Sequence, residues 1–481
     1  MFFGLSERRR GVAGWGWAGA LAVALVALVG GVALARPLGF LHIRYNLSQT
    51  ANLASARPDL EVSPDGNLAA VVWTEEYRPG VLDHRGNVYL RIASETGGGW
   101  GGKTCVFSGS DDQSAYDAAL AVSDTMAHVA YVVVTYTPGQ KNMQVRYRAC
   151  PLAGGDCDAE QTVASVDPDK YKITWVDVAL DDDGHPHAVW SRTDEFGSYG
   201  VVWHAGSDGI DWVSPSPERV SVGYGCYRPA IACANGFLHV VWEEDVDTPT
   251  EERHLIRYAR WSSESGWETR ELCPHQSTKM PSNPDVAARG GRVFATWDWC
   301  SDLDPHPCDE YKLVYRHSED DGSTWGTETS ETREVGTGRL YHGEELVEYT
   351  SSDDDGVPLE ERRHESLLDL QPSITMNSDG MPAVTWQADR SGAGTDYVIY
   401  YTYAFTDELD HVNWFTPTVL GGSGALRGGA TIGVGRPASD EQHMHLAYMQ
   451  QLGTGDWDVH YDSNEGDRYF YVQLPVVLRV D

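Results

Sequence analysis

Residues 57–100 carry the sequence RPDLEVSPDGNLAAVVWTEEYRPGVLDHRGNVYLRIASETGGGW. Short apolar runs alternate here with turn residues: RPDLEV is followed by the turn SPDG, then by NLAAVVW ending at Trp73, and NVYLRIA precedes a Gly-rich turn that closes on Trp100. Runs of this length, bounded by Gly, Pro and Asp, predict four strands. A tight turn follows the first strand, a loop follows the second, and a turn follows the third. One four-stranded sheet cannot bury both of its faces, so further copies are expected.

The unit recurs along the chain. Its first strand reads RPDLEV, YDAALAV, WVDVAL, RPAIAC, NPDVAA, QPSITM and GGATIG, beginning at Arg57, Tyr116, Trp175, Arg228, Asn283, Gln371 and Gly428. Its second strand ends each time at an aromatic residue, namely Trp73, Tyr131, Trp190, Trp242, Trp297, Trp386 or Tyr448. The pattern predicts an all-β β-propeller over residues 57–465, with seven blades of four antiparallel strands and with six or eight blades as alternatives. A row of separate sandwiches is less favoured, because each repeat is too short for a domain.

The fifth copy contains Ser318-Glu319-Asp320-Asp321-Gly322-Ser323-Thr324-Trp325, which resembles the Asp box of the sialidase-like, BNR-repeat propellers. Copies one, three and four retain parts of this motif, the loop 150–157 replaces it in copy two, and copies six and seven lack a recognisable form. The resemblance implies a structural role for Ser318, Asp320, Gly322 and Trp325. Ser and Asp would cap the turn between the third and fourth strands, and Trp would pack between strands. A fold-building motif says nothing about catalysis.

Charge limits the choice of partners. Asp and Glu number 71 against 36 Lys and Arg, for a net charge of −35. Such a surface repels phosphate backbones, so nucleic acid is excluded as a partner. No cofactor is expected, although calcium is possible. A glycan or an extracellular protein is the expected partner, and the chain is expected to be a monomer.

The N-terminus predicts export. Arg8, Arg9 and Arg10 precede an uncharged run over residues 11–35 that ends in Ala-Leu-Ala. Residues 1–35 are therefore predicted as a cleaved signal peptide or an uncleaved membrane anchor, and the chain as secreted or extracytoplasmic. Membrane contact is expected only through this segment. Residues 36–56 form a connector in which HIRYNLS could be a strand that closes the ring.

The eight cysteines agree with export. Cys150 with Cys157 and Cys300 with Cys308 are predicted disulfides across short loops. The pairing of four others stays open: Cys105, Cys226, Cys233 and Cys273. No metal site is predicted, because the zinc spacing is absent, the run 181–184 reads as a hairpin turn, and His185 and His187 read as structural.

Two segments depart from the repeat. An insertion at 326–368 is expected to join the fourth strand of blade five to the first strand of blade six, as a solvated excursion or a functional flap. In the C-terminal segment 466–481, residues 469–480 could be the outer strand of the last blade or a tail for surface export.

A sialidase-like site needs three arginines for a carboxylate and a tyrosine activated by a glutamate. Arg57, Arg192, Arg228 and Arg390 are the candidate arginines, and Tyr227 with Glu243 or Glu244 is the candidate nucleophile pair. The early R-I-P motif of that family is absent, which counts against catalysis. We therefore predict a non-catalytic, exported scaffold that binds glycan or protein on its upper face. A sialidase-like glycosidase is the alternative, and convergence of the arginines would favour it.

Aspartates recur at the start of the first strand. Asp59, Asp117, Asp177 and Asp285 are predicted to share one slot, which holds Ala230, Ser373 and Ala430 in other copies. Such carboxylates could bind a cation in the axial channel. The favoured prediction is that they accept backbone hydrogen bonds.

Overall fold

The structure is a computed structural model whose described residues belong to one compact unit, His42–Glu465. They are residues 45–49, 53–77, 86–94, 99–137, 140–209, 211–212, 217–248, 251–273, 279–301, 310–325, 337–339, 371–389, 397–406, 412–414, 418–420, 427–435, 443–452 and 456–463. All regular structure among them is β-strand, and none of these residues belongs to a helix able to cross a bilayer. The predictions for residues 1–35, for Arg390 and for residues 469–480 lie outside this part of the chain.

Seven antiparallel sheets confirm the seven-bladed propeller. Strand β1 is Tyr45–Asn46. Blade 1 contains β2 (Leu53–Val62), β3 (Ala69–Tyr77), β4 (Asn87–Ser94) and β5 (Gly99–Trp100), with β6 (Thr104–Phe107) also paired to β4. Blade 2 contains β7 (Gln113–Val122), β8 (Met126–Thr137), β9 (Gln140–Pro151) and β10 (Gln161–Val166). Blade 3 contains β11 (Tyr171–Leu180), β12 (Pro186–Asp194), β13 (Val201–Gly206) and β14 (Glu218–Arg219).

The remaining blades repeat this order. Blade 4 contains β15 (Cys226–Ala234), β16 (Phe237–Thr248), β17 (Glu251–Ser262) and β18 (Gly266–Cys273). Blade 5 contains β19 (Lys279–Arg289), β20 (Arg292–Ser301), β21 (Glu310–Ser318) and β22 (Thr337–Arg339). Blade 6 contains β23 (Ser373–Met376), β24 (Pro382–Asp389), β25 (Tyr397–Thr406) and β26 (Val412–Trp414), with β27 (Thr418–Leu420) also paired to β25. Blade 7 contains β28 (Arg427–Gly435), β29 (His443–Leu452) and β30 (Asp456–Ser463).

Strand β1 completes blade 7, as the HIRYNLS prediction expects. Tyr45 lies opposite Tyr461, and Asn46 lies opposite His460. The Asn46 amide and the Ser48 hydroxyl each donate to Asp458 at 2.8 Å. An early strand therefore closes the ring by pairing with the last repeat.

The structure places one strand inside the predicted insertion at 326–368. Thr337–Arg339 is the outer strand of blade 5 and pairs with β21. The sequence TGR is too short and too polar to show an alternating pattern, so this strand was not predicted.

The predicted aromatic residues form the core of the blades. The seven residues that were predicted to end the second strand lie inside it, because each strand continues for several residues beyond them. All seven are at most 2% exposed: Trp73, Tyr131, Trp190, Trp242, Trp297, Trp386 and Tyr448. Large side chains at one position of every blade fill the space between neighbouring sheets.

A second set of tryptophans joins neighbouring blades. In five blades a Trp beyond the third strand packs edge-on against an aromatic ring in the third strand of the preceding blade. The pairs are Trp100–Tyr461, Trp212–Tyr147, Trp267–His204, Trp325–Tyr258 and Trp414–Tyr315, with centroids 4.6–5.3 Å apart. Blade 2 uses the predicted Cys150–Cys157 disulfide instead, and Cys150 is buried in one cluster with Leu90 of blade 1. The predicted Cys300–Cys308 bridge lies outside the described side chains.

The turn at Ser318–Trp325 has the predicted structural role. The Ser318 Oγ accepts from the Gly322 N–H at 2.9 Å, and Asp320 accepts both the N–H and the hydroxyl of Thr324 at 2.7 Å. Gly322 has a φ of 73°, and a Cβ there would overlap the Tyr258 hydroxyl. The turn therefore fixes blade 5 against blade 4.

A bulge in six of the seven inner strands shows which residues of the blades correspond to one another. Six non-glycine residues at this point have a φ of 45–51°, namely Arg57, Asp117, Trp175, Arg228, Asn283 and Gln371. Asp117 therefore corresponds to Arg57, so its predicted place in the Asp59 slot is wrong by two residues. The slot holds Ala119 in blade 2 and Thr431 in blade 7, where Ala430 was predicted. The extra residue of the bulge conceals this shift in the sequence.

Candidate functional site

The inner strands surround an axial cavity of about 890 Å³ whose lining includes eight acidic residues, four of them on the inner strands. Asp59, Asp177 and Asp285 extend into it from blades 1, 3 and 5, and Glu61 lies two residues beyond Asp59 on the same strand. Because these three blades present a carboxylate at the same strand position, the carboxylates meet around the axis.

Each of the three aspartates binds two backbone N–H groups. One oxygen accepts from the next residue, and the other accepts from the following blade. The acceptors and donors are Asp59 with Leu60 and Leu120, Asp177 with Val178 and Ile231, and Asp285 with Val286 and Ile374, all at 2.7–2.9 Å. The aspartates therefore join blade 1 to 2, 3 to 4 and 5 to 6, which agrees with the favoured structural prediction.

The interfaces between blades 2 and 3, 4 and 5, and 6 and 7 use acceptors nearer the upper face. This is the face that carries the loops before the first strand and after the second strand of each blade. Here the N–H of the bulge residue, or of Gly429 in blade 7, donates to the preceding blade. The pairs are Trp175 to Asp117, Asn283 to Glu243 and Gly429 to Gln387. Between blades 7 and 1, the Thr431 hydroxyl lies 3.4 Å from Asp59. Two levels of hydrogen bonds thus alternate around the ring.

Burial changes the protonation of the axial carboxyls. Loss of solvation raises the pKa of Asp59 to about 6 and that of Asp285 to about 7. Burial, with repulsion from the neighbouring carboxylates, also raises the pKa of Asp177 and that of Glu61 well above their usual values. Removing charge from this cavity is therefore favourable in the folded protein.

The predicted arginines of the upper face have different partners. Arg57 forms an ion pair with Asp117 of the neighbouring blade. Arg228 donates to Glu243 of its own blade at 2.9 Å and lies over the Trp175 ring. These two guanidinium groups therefore bind different carboxylates.

Arg192 lies in a third environment. Its guanidinium is stacked between Tyr171 and Trp203, 4.7 and 4.1 Å from the ring centroids. Cation–π contacts of this kind hold the arginine against its own blade. The three described arginines thus have three separate sets of contacts.

The predicted nucleophile pair lies on two paired strands of blade 4. Tyr227 lies opposite Glu243, and Cys226 lies opposite Glu244, across β15 and β16. The Glu243 carboxylate, however, binds Arg228, and the Glu244 carboxylate accepts from Arg257 at 2.7 Å.

Tyr227 packs edge-on against Trp175, with ring centroids 6.2 Å apart. Burial, followed by the nearby Asp245 carboxylate, raises the pKa of Tyr227. A raised pKa disfavours the phenolate that a tyrosine nucleophile requires.

The upper face of blades 3 and 4 carries exposed apolar side chains. We define the upper aromatic patch as Phe196, Tyr199, Val222 and Tyr224, which are 80%, 69%, 82% and 59% exposed. Phe196 and Tyr199 lie in the loop between β12 and β13, and Val222 and Tyr224 lie between blades 3 and 4. The sequence signal was available: aromatic residues in the Gly-containing loops EFGSYG and VGYGC serve no strand core.

Hydrogen bonds order both loops of this patch. The Arg219 guanidinium donates to the carbonyls of Ser221, Val222 and Gly223 and lies over the Tyr224 ring. Asp194 accepts from the N–H groups of Phe196 and Ser198 at 3.1 and 2.7 Å. Tyr199 and Tyr224 meet edge-on with centroids 6.3 Å apart. Contacts within the two loops therefore position Tyr199 and Tyr224.

Comparisons with known proteins concern the fold. No protein-family model matches the sequence, and no curated protein matches it. Similar solved structures include a mutant of NanB sialidase from Streptococcus pneumoniae (11% identity, TM-score 0.45, 88% of this chain and 70% of that chain). Trypanosoma rangeli sialidase with the inhibitor DANA is similar at 8% identity and a TM-score of 0.48, and the match spans 88% of this chain and 60% of the sialidase.

An alpha-L-arabinanase from Penicillium chrysogenum, complexed with arabinobiose, is similar at 12% identity and a TM-score of 0.39, over 88% of this chain and 96% of that chain. These neighbours are glycoside hydrolases built as propellers. Identity at this level relates the architecture alone.

Proposed function

We propose that this protein is a non-catalytic recognition propeller that binds a protein partner through the upper aromatic patch. One observation carries the proposal: the five exposed large hydrophobic side chains of the described residues, the patch and the adjacent Tyr171, all lie in blade 3 and its connection to blade 4. Contiguous exposed apolar surface of this kind marks interaction sites.

The composition of the patch favours a protein over a glycan. Tyrosine and arginine are the residues that contribute most to protein interfaces, and Arg219 supports Tyr224 here. Phe196 and Val222 offer apolar surface without hydrogen-bonding groups, which suits a partner with an apolar concavity. The net charge of −35 favours a partner with a basic rim.

Site-specific photo-crosslinking in the native host tests the proposal. A photoreactive amino acid at Phe196 is expected to capture a protein, and the same group at exposed Asp156, between β9 and β10, is expected not to capture it. With the purified partner, the double variant Tyr199→Ala/Tyr224→Ala should weaken Kd by at least about tenfold, as expected for loss of interface anchors. Equal capture at both positions, or an unchanged Kd, would contradict the proposal.

Glycoside hydrolysis, the alternative, is tested on the same protein. We expect no release of fluorophore from a sialoside or from other fluorogenic glycosides. Turnover by the wild type that Arg228→Ala abolishes would establish the enzyme and overturn the non-catalytic assignment.

A further inference from the structure

We propose that Asp181, His185 and His187 bind a divalent transition-metal ion of the Zn²⁺ class at the lower face of blade 3, with Asp183 as a fourth ligand. The site lies in the turn between β11 and β12, far from the upper aromatic patch along the strands. It is independent of the proposed function.

The distances from Asp181 to the two histidines match those between ligands of a tetrahedral ion. The Asp181 Oδ2 lies 3.6 Å from the His185 Nδ1 and 3.4 Å from the His187 Nε2. Ligands bound to zinc at about 2.0–2.2 Å lie about 3.3–3.5 Å apart. The carboxylate of Asp183 joins Asp181 and His185 in a group whose ligand atoms all lie within 4.8 Å of one another.

Asp181 is already oriented for this role. Its Oδ1 accepts the N–H groups of Asp183 and His185 at 3.0 and 2.8 Å, so the turn itself fixes the carboxylate. The second oxygen, Oδ2, is left facing the two imidazole rings. One oxygen therefore builds the turn, and the other faces the site.

A hydrogen-bonded relay lies behind His187. The Nδ1 of His187 lies 3.0 Å from the Nε2 of His204, whose Nδ1 lies 3.2 Å from the Glu218 carboxylate. Glu218 also accepts from the Trp267 indole at 2.8 Å.

The relay contacts one nitrogen of His187 and leaves the other facing the Asp181 carboxylate, 3.4 Å away. Metal-ligating histidines are held by the same kind of outer contact, made at the ring nitrogen that does not face the ion.

The other blades show that this arrangement is specific to blade 3. His128, His239 and His445 occupy the slot of His187, three residues before the core aromatic, and each pairs its Nδ1 with a tyrosine hydroxyl. In blade 2, the Nε2 of His128 faces the hydroxyl of Ser123, which can donate a proton. In blade 3, His204 takes the place of the tyrosine and Asp181 takes the place of the serine. The histidine that makes structural contacts in the other blades therefore lies beside further metal-ligating side chains in blade 3.

Two glycines provide room for the rings. A Cβ at Gly206 would lie 2.8 Å from the His187 ring, and a Cβ at Gly209 would lie 2.8 Å from the His185 ring. Gly209 belongs to the degenerate Asp-box region of blade 3. The change in that turn thus accompanies the appearance of the histidine pair.

Zinc titration of the metal-free, full-length protein tests the proposal by calorimetry and by the visible spectrum of bound Co²⁺. The wild type should bind one ion with a tetrahedral Co²⁺ spectrum. Asp181→Ser and His185→Asn introduce the residues that blades 2 and 1 have in these places, Ser123 and Asn67, and each should weaken binding by at least about tenfold. Glu218→Gln should weaken it about 10–100-fold although it removes no ligand.

His128→Gln is the matched control, because it changes the same slot in blade 2 and should leave zinc affinity unchanged. Zinc should also raise the unfolding temperature of the wild type and not that of Asp181→Ser, since binding to the native state stabilises it. Absence of saturable binding to the wild type, or equal affinity in the double variant Asp181→Ser/His185→Asn, would overturn the proposal.

Discussion

Asp59, Asp177 and Asp285 show how a single residue position holds neighbouring blades together. Each carboxylate accepts one N–H from its own strand and one from the next blade. In blades 2 and 4 the same slot is alanine, at Ala119 and Ala230, and the next interface relies on acceptors nearer the upper face. A buried N–H that loses its acceptor destabilises the fold more than the average hydrogen bond contributes.

Asp177→Ala should therefore destabilise the protein by about 1–3 kcal/mol, because the N–H of Ile231 loses its acceptor. Alanine fits this slot sterically, as Ala230 demonstrates. Urea unfolding measures the effect at low pH, where repulsion among the axial carboxylates is weakest. Asp124→Ala, in an exposed turn, is the control, and equal stability of the two variants would show that the bond between blades contributes nothing.

At the scale of the element, the turn after the third strand decides how two blades meet. In blade 5 the turn Ser318–Trp325 places Trp325 on Tyr258 and Gly322 against the hydroxyl of the same tyrosine. In blade 2 a disulfide takes this place. Five blades make this contact with a tryptophan, and blade 2 makes it with its disulfide.

Gly322→Ala is expected to destabilise more than Gly154→Ala. Both glycines have a positive φ, 73° and 86°, so both variants carry the backbone penalty of about 1–2 kcal/mol. Only at Gly322 does the new methyl group also meet another blade, whereas nothing lies within 4 Å of a Cβ at Gly154. Thermal unfolding compares the two, and equal losses would mean that the turn yields without disturbing blade 4.

The sequence predicted elements where one residue type recurs at one spacing. The aromatic residue that recurs in every second strand predicted the number of blades, and the Asp-box letters of Ser318–Trp325 predicted the turn that they form. Trp414 was missed because its turn lacks the Asp-box letters, although its ring packs as the other four do. Asp117 was misplaced because a bulge adds a residue without changing composition. The upper aromatic patch and the blade 3 histidines depend on contacts between distant loops and strands, which a repeat pattern does not encode.

At the scale of the whole molecule, acidic residues have two different environments. The chain has a net charge of −35, and the carboxylates at its surface are solvated. Around the axis, buried carboxyl groups from three blades repel one another, and Glu61 is repelled by Asp59, Asp177 and Asp285 together. The ring therefore brings together charges that are far apart in the chain.

Glu61→Gln should stabilise the protein by on the order of 1 kcal/mol at pH 8 and by almost nothing near pH 4. In the folded state the pKa of Glu61 lies well above 4.5, so the folded protein holds a proton that the unfolded chain has released. The stability that the protonated group contributes is fully present below pH 4.5 and is lost as the pH rises through the folded pKa. Glutamine is neutral throughout, and the N–H that donates to Glu61, that of Val62, belongs to the same strand and not to another blade. Buried histidines with lowered pKa, such as His239, change stability in the opposite direction, but they cancel in the difference between wild type and variant. Unfolding midpoints from pH 4 to 8 should therefore diverge with rising pH, while exposed Glu264→Gln tracks the wild type. A constant offset across this range would show that the axial carboxyls titrate as they do in water.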